Sequence, residues 1–140
     1  MKAAVLAILV VASATAACGK NSQSTSTTAP STLSTETFSG LVGLQGSNFY
    51  SFTVSAAGTV DITLASLMAN STGPASAVVV GLGLGNPVGT GCSLINSVNT
   101  AAALTTQLTS AVSPDVYCVQ IQDVGNMTVP LNFTIRIKHP

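Results

Sequence analysis

The sequence predicts an all-β domain built as a sandwich, and three observations predict it. Apolar and polar side chains alternate with a period of two in run after run from Thr37 onward. Turn signals rich in Gly, Pro, Ser and Asn separate these runs. Each alternating strand has only one apolar face, and packing two sheets together buries all of those faces at once. The folding part is assigned to residues 37–140. A domain of that length buries about two-thirds of its unfolded surface, enough for one core without a metal or a partner.

Ahead of that domain, residues 1–17 read as a secretory signal peptide. Met1-Lys2 supplies a short positive region, Ala3 to Ala14 is an almost unbroken apolar run, and Thr15-Ala16-Ala17 places small residues before Cys18. The apolar run is shorter than the about 20 residues that span a bilayer. Thr15-Ala16-Ala17-Cys18 resembles the bacterial lipobox, in which small residues precede a Cys that receives a lipid and becomes the first residue of the mature chain. Thr15 stands where that box usually has Leu. The resemblance makes Cys18 the expected lipidation site and a membrane the expected partner. The competing reading is cleavage after Ala14-Thr15-Ala16, which releases a soluble protein.

Residues 18–36 are assigned as the lipidated Cys and a flexible linker. Positions 21 to 35 hold ten Ser or Thr and a single Leu. Such a stretch buries too little apolar area to offset the entropy of ordering it. Three Cys residues are an odd number for an oxidising compartment. A lipid on Cys18 leaves Cys92 and Cys118 as one pair, whereas an unmodified Cys18 is a free thiol in an exposed tail.

Four runs carry the strand pattern most cleanly. Tyr50, Phe52 and Val54 share a face of Asn48–Val54, and Val60, Ile62 and Leu64 share a face of Gly58–Leu64. Tyr117, Val119 and Ile121 line up in Asp115–Ile121. Leu131, Phe133, Ile135 and Ile137 alternate with polar residues through Leu131–Lys138. Weaker strands are expected at Phe38–Leu44, Ala77–Leu84 and Leu104–Val112, with Thr100–Leu104 open to a helical turn. In Val78–Leu84, Gly81 and Gly83 match neither a dinucleotide fingerprint nor a phosphate loop. They are read as a close backbone approach or a bend in the sheet.

Cys92 is placed in a loop after Asn86-Pro87, and Cys118 inside a strong strand, out of phase with Tyr117 and Val119. A disulfide between them is expected to pin that loop over the sheet's other face and to contribute about 3.5 kcal/mol in the chain-entropy model. The alternative, a metal site, lacks zinc-ligand spacing, since the sequence offers two thiols and one His.

Phe38-Ser39-Gly40, Asn48–Val54, Gly58–Leu64 and Asp115–Val119 follow one another as in the bacterial pre-peptidase C-terminal domain, which most of residues 37–140 resembles. The resemblance implies a jelly-roll-like antiparallel β-sandwich of the kind appended to exported enzymes. That family has an acidic residue where Asn48 stands.

Composition excludes several functions. Only 6% of residues are charged and the net charge is zero, so no basic stripe exists to neutralise phosphates and nucleic acid is not an expected partner. No catalytic residues, metal ligands or cofactors are assigned. The single His, His139, lies near a chain end, where side chains are poorly held. Asp115 and Asp123 lie about 26 Å apart if their run is extended, too far for joint acid–base work. Their carboxylates suit turn hydrogen bonds, although oxygen-rich Asp123, Gly125 and Asn126 also suggest a calcium loop. The expected function is a non-catalytic exported lipoprotein: a membrane-anchored binding or accessory module of the bacterial envelope, facing an envelope protein or polymer. The alternatives are a structural lipoprotein without a ligand and a secreted glycan-binding module. Phe49, projecting opposite Tyr50 and Phe52, is the one aromatic outside the apolar alternation.

Overall fold

The computed structural model describes residues 32–140, so the expected signal peptide, Cys18 and most of the linker lie outside the described residues. Eight strands follow in order: β1 (Ser34–Val42), β2 (Ser47–Val54), β3 (Gly58–Met68), β4 (Val80–Val88), β5 (Gly91–Thr100), β6 (Leu108–Val112), β7 (Asp115–Gln122) and β8 (Leu131–His139). They pair antiparallel into two four-stranded sheets, β1-β8-β3-β6 and β2-β7-β4-β5. That order is the jelly roll, in which successive strands cross between the facing sheets except at the β4–β5 hairpin. Among the described residues there is no helix.

The period of two decides which side chains face inward. In β8, Leu131, Phe133, Ile135 and Ile137 are buried, while Arg136 and Lys138 point to solvent. In β3 the alternation runs through Val60, Ile62 and Leu64, then a bulge between Leu64 and Ser66 shifts the phase so that Leu67 is buried. The facing sheet contributes Phe52, Val54, Leu82, Leu84, Val119 and Ile121. Each such side chain, fully buried, stabilises the fold by about 1.5–3 kcal/mol. A one-residue slip would turn a whole set outward, so the register is tightly specified.

Several boundaries differ from expectation. β1 starts at Ser34, inside the stretch assigned to the linker, because Ser34 and Thr35 pair with His139 and Lys138 of β8 and Glu36 reaches a buried hydrogen-bonding cluster. β1 also ends at Val42, where Gly43 to Gly46 turn with Gln45 at φ 55°. Gly91–Thr100, with Cys92 in it, is a strand and not a loop. β5 lies at the edge of its sheet with most side chains exposed, so no alternation of apolar residues announces it. Asn86 and Pro87 belong to β4. Pairing with β7 stops at Gly85, so the N–H that Pro87 lacks is not needed there. Residues 101–107 form neither helix nor strand and bend at Leu104 and Thr105. Ala103 N–H donates to Leu64 O, and the Gln107 side chain exchanges hydrogen bonds with the Leu64 backbone.

Candidate functional site

Val80, Leu82 and Leu84 are fully buried between the sheets, and this fixes the phase of β4. Gly81, Gly83 and Gly85 therefore face outward from the middle of the β2-β7-β4-β5 sheet. Three rows cross this face: Ser47–Gln122–Gly81–Asn99, Phe49–Gln120–Gly83–Ser97 and Ser51–Cys118–Gly85–Leu94. Over Gly81 and Gly83 lies a shallow trough of about 30 Å³, lined by Gln120 and Gln122 on one wall and Leu94, Ser97 and Asn99 on the other.

Each glycine in a strand interior costs about 0.5–1 kcal/mol relative to Ala. None of these three has the positive φ that would demand it. A Cβ at Gly85 would overlap the Ser93 carbonyl oxygen, so the close backbone approach expected at Gly81 and Gly83 occurs here instead. The cause is the bulge that puts Leu84 opposite Asn96 but Gly85 opposite Leu94. At Gly81 and Gly83 an added Cβ would meet only flexible side-chain atoms, Gln122 Cγ and the Leu94 methyls, each at 2.7 Å. The Gln122 and Leu94 side chains lie over these two glycines, which are buried beneath them.

The Cys92–Cys118 disulfide forms as expected. Cys118 points outward from β7 but is completely buried beneath the bridge. β4 lies between β5 and β7, and strands two apart in a flat sheet are separated by about 10 Å. The Cα–Cα distance of 5.9 Å therefore records that the β4–β5 hairpin curls over the outer face. The bridge stands at the Gly85 end of the trough.

The trough's chemistry is neutral. Gln120 Nε2 donates to Gln122 Oε1 at 2.9 Å, while the side chains of Ser97 and Asn99 make no hydrogen bond among the described residues. Phe49, half-buried on the outward side, stands beside Gln120. Such a surface can hydrogen-bond and stack; it holds no acid, base or thiolate with which to react. The charged residues lie elsewhere. Asp61, Arg136 and Lys138 occupy the outer face of the other sheet, with Lys138 between Thr35 and Asp61.

Asp123 makes the turn that follows β7. Its Oδ2 accepts Gln45 N–H, and its Oδ1 accepts the N–H groups of Gly125, Asn126 and Met127. These bonds, Gln45 first, hold its carboxyl below the usual carboxylate range, with desolvation opposing them. A carboxylate ringed by N–H donors offers a cation little, so this is turn chemistry and not a calcium loop. Asp115 likewise bonds its neighbour, accepting Val116 N–H.

One polar cluster escaped the sequence reading. His139 is ordered in β8 at 3% exposure, not mobile, and packs its ring 5.1 Å from that of Phe52. Its Nε2 lies 3.1 Å from Glu36 Oε1 and its Nδ1 3.1 Å from Pro140 O. Tyr50 donates to Glu36 Oε2 at 2.6 Å, which, with the repulsion between the two anions, raises the phenol above its ordinary range. The cluster joins β1 and β8 to β2 across the seam between the sheets. Both imidazole nitrogens are engaged, leaving none to activate a nucleophile. Among the described residues no three His, Cys, Asp or Glu side chains come together as a metal site.

No family model matches the chain, and no curated protein matches it.

Proposed function

We propose that this protein is a non-catalytic lipoprotein of the bacterial envelope, exported, held to a membrane by a lipid on Cys18, and acting as a binding or accessory module. The observation that carries the proposal is the outer face of β2-β7-β4-β5, uncharged and lined by Phe49, Gln120, Gln122, Ser97 and Asn99 around a shallow trough. The Thr15-Ala16-Ala17-Cys18 pattern supports the anchor, and the Cys92–Cys118 bridge fits an oxidising compartment. The likeness to the pre-peptidase C-terminal domain belongs to the same proposal. The jelly roll agrees with it at the level of fold, and fold does not assign function.

Two measurements test the reading. Cys18→Ala is expected to lose fatty-acid labelling and to accumulate uncleaved precursor; normal processing of that variant removes the anchor from the account. Chemical crosslinking of wild-type membranes is expected to retain one specific envelope component. Unchanged migration across repeated crosslinking favours the second reading, a structural lipoprotein without a ligand, for which the small size of the groove is the supporting observation.

A further inference from the structure

We infer that β2 is the docking edge for a second copy of this chain. Two β2 strands pair antiparallel about a twofold axis at Ser51 and join two β2-β7-β4-β5 sheets into one sheet of eight strands. This goes beyond the proposed function and does not depend on the lipid anchor.

An edge strand presents a row of unpaired N–H and C=O groups to any chain able to pair with them, and folded proteins guard such edges. The sandwich has four edges, β1 and β6 in one sheet and β2 and β5 in the other. Three carry guards. β5 is interrupted by the bulge opposite Leu84 and Gly85 and clasped by the Cys92–Cys118 bridge. β6 has only five residues. β1 turns the Glu36 carboxylate to its inner side, where a strand added alongside would take it out of water. β2 has no such guard. Its eight residues pair with β7 without a register shift and include no charge, no Pro and no Gly.

The chemistry of the edge selects its occupant. Asn48–Val54 combines three aromatics with Thr and Val, the composition that suits strand pairing. A charged partner strand gains no ion pair against it. An identical strand sets no like charges opposite one another, which is the complementarity a twofold interface requires.

Register follows from the pleat. Phe49, Ser51 and Thr53 face outward and Tyr50, Phe52 and Val54 inward, so outward residues must meet outward ones across the axis. Centring the pair on Ser51 places the smallest of the outward side chains at the axis. It sets Phe49 against Thr53 on the outer face and Tyr50 against Phe52 on the inner one. Aromatic pairs of both kinds stabilise antiparallel strands. The strand is also held ready. Asp123 N–H donates to Gly46 O before its start, and Ser55 N–H donates to Pro140 O after its end. An edge fixed at both ends loses little conformational freedom on pairing.

The test is sedimentation of residues 20–140, which contain every core residue of the sandwich, over a concentration series. The protein is expected to pass from monomer to dimer as concentration rises. Ser51→Lys sets two cations opposite each other at the axis and is expected to weaken the dimer about tenfold or more. Ser51 is exposed, so the fold has room for the change, and circular dichroism checks that it is kept. A second variant reads the register without relying on affinity. Residues opposite each other in antiparallel strands have Cβ atoms about 4.5–5.5 Å apart, so Ser51→Cys is expected to give a disulfide-linked dimer under mild oxidation. Thr37→Cys, exposed on β1, is expected to give none. A folded monomer at every concentration, a dimer undiminished by Ser51→Lys, or a covalent dimer through position 37 and not 51 overturns the inference. Because the measurement is made in solution on the unlipidated domain, its failure leaves the anchor and the crosslinked envelope component to their own tests.

Discussion

On the outer face of β1-β8-β3-β6, Lys138 stands between Thr35 and Asp61, Arg136 between Thr37 and Thr63, and Thr134 between Ser39 and Ser66. On the outer face of β2-β7-β4-β5 the same positions in the pleat carry glycines, amides, Phe49 and a disulfide, and no charge. Both faces hang on equally apolar inner faces, so the core does not demand the difference. A chain with 6% charged residues has few to place. Here Arg136, Lys138 and Asp61 coat one sheet with ordinary solvated polarity, while the other sheet carries glycines at three interior positions and no charge. Surface whose composition costs stability is the better candidate for recognition.

The comparison can be strained from the largest effect downward. The uncharged face has a covalent clasp and the charged face has none. Replacing Cys92 and Cys118 together by Ser is expected to lower the unfolding free energy by about 3.5 kcal/mol in denaturant titrations. Next come the glycines, which should divide by what they touch. Gly85→Ala forces a Cβ into the Ser93 carbonyl and is expected to cost about 2–3 kcal/mol. Gly83→Ala displaces only the Leu94 methyls and should stay within about 1 kcal/mol of wild type.

Smaller effects belong to the seam joining the two sheets. Tyr50→Phe removes the hydrogen bond to Glu36 and is expected to cost about 1–2 kcal/mol near neutral pH. The Tyr50 phenol is raised in the folded protein, so the folded state holds its proton more tightly than the unfolded chain does. Its contribution is complete below the unfolded value, about pH 10, and is lost as pH rises through the folded value. The alkaline decline in stability should be shallower in Tyr50→Phe. At the acid end the sign reverses. Asp123 is lowered, so its contribution is present above the unfolded value and lost as pH falls through the folded one, a dependence Asp123→Asn removes. Smallest of all are Asp61→Asn and Lys138→Ala on the charged face. Each is expected within about 0.5 kcal/mol of wild type, since Lys138 is exposed and an asparagine at the half-buried position 61 keeps an oxygen to accept the Thr109 hydroxyl.

How much of this was legible beforehand follows from where each residue sits. β3, β7 and β8 are buried on one side along most of their length, so Val60, Ile62 and Leu64 or Phe133, Ile135 and Ile137 announced them. β5 is an edge strand that turns little more than Val98 toward the core, and its sequence carries no such signal. The cysteine pair was legible by arithmetic and its outer side by the phase of Cys118, but the crossing over β4 was not, because Cys92 lies in a strand that no apolar alternation marks. His139 was passed over for its place in the chain, although pairing with Ser34 of β1 holds its backbone and Glu36 holds its ring. The trough depends on register. Gln122, Gly81 and Asn99 are far apart in sequence and become one row only when three strands are aligned.

The most direct test compares the two faces in one experiment. A photoreactive benzoylphenylalanine is placed at Asn99, on the trough wall, or at Thr63, on the charged face, in the full chain within intact membranes. Illumination is expected to give a discrete adduct from position 99 and none from position 63. Adducts of equal yield from both positions, or an adduct from position 63 alone, would contradict the assignment of recognition to the uncharged sheet.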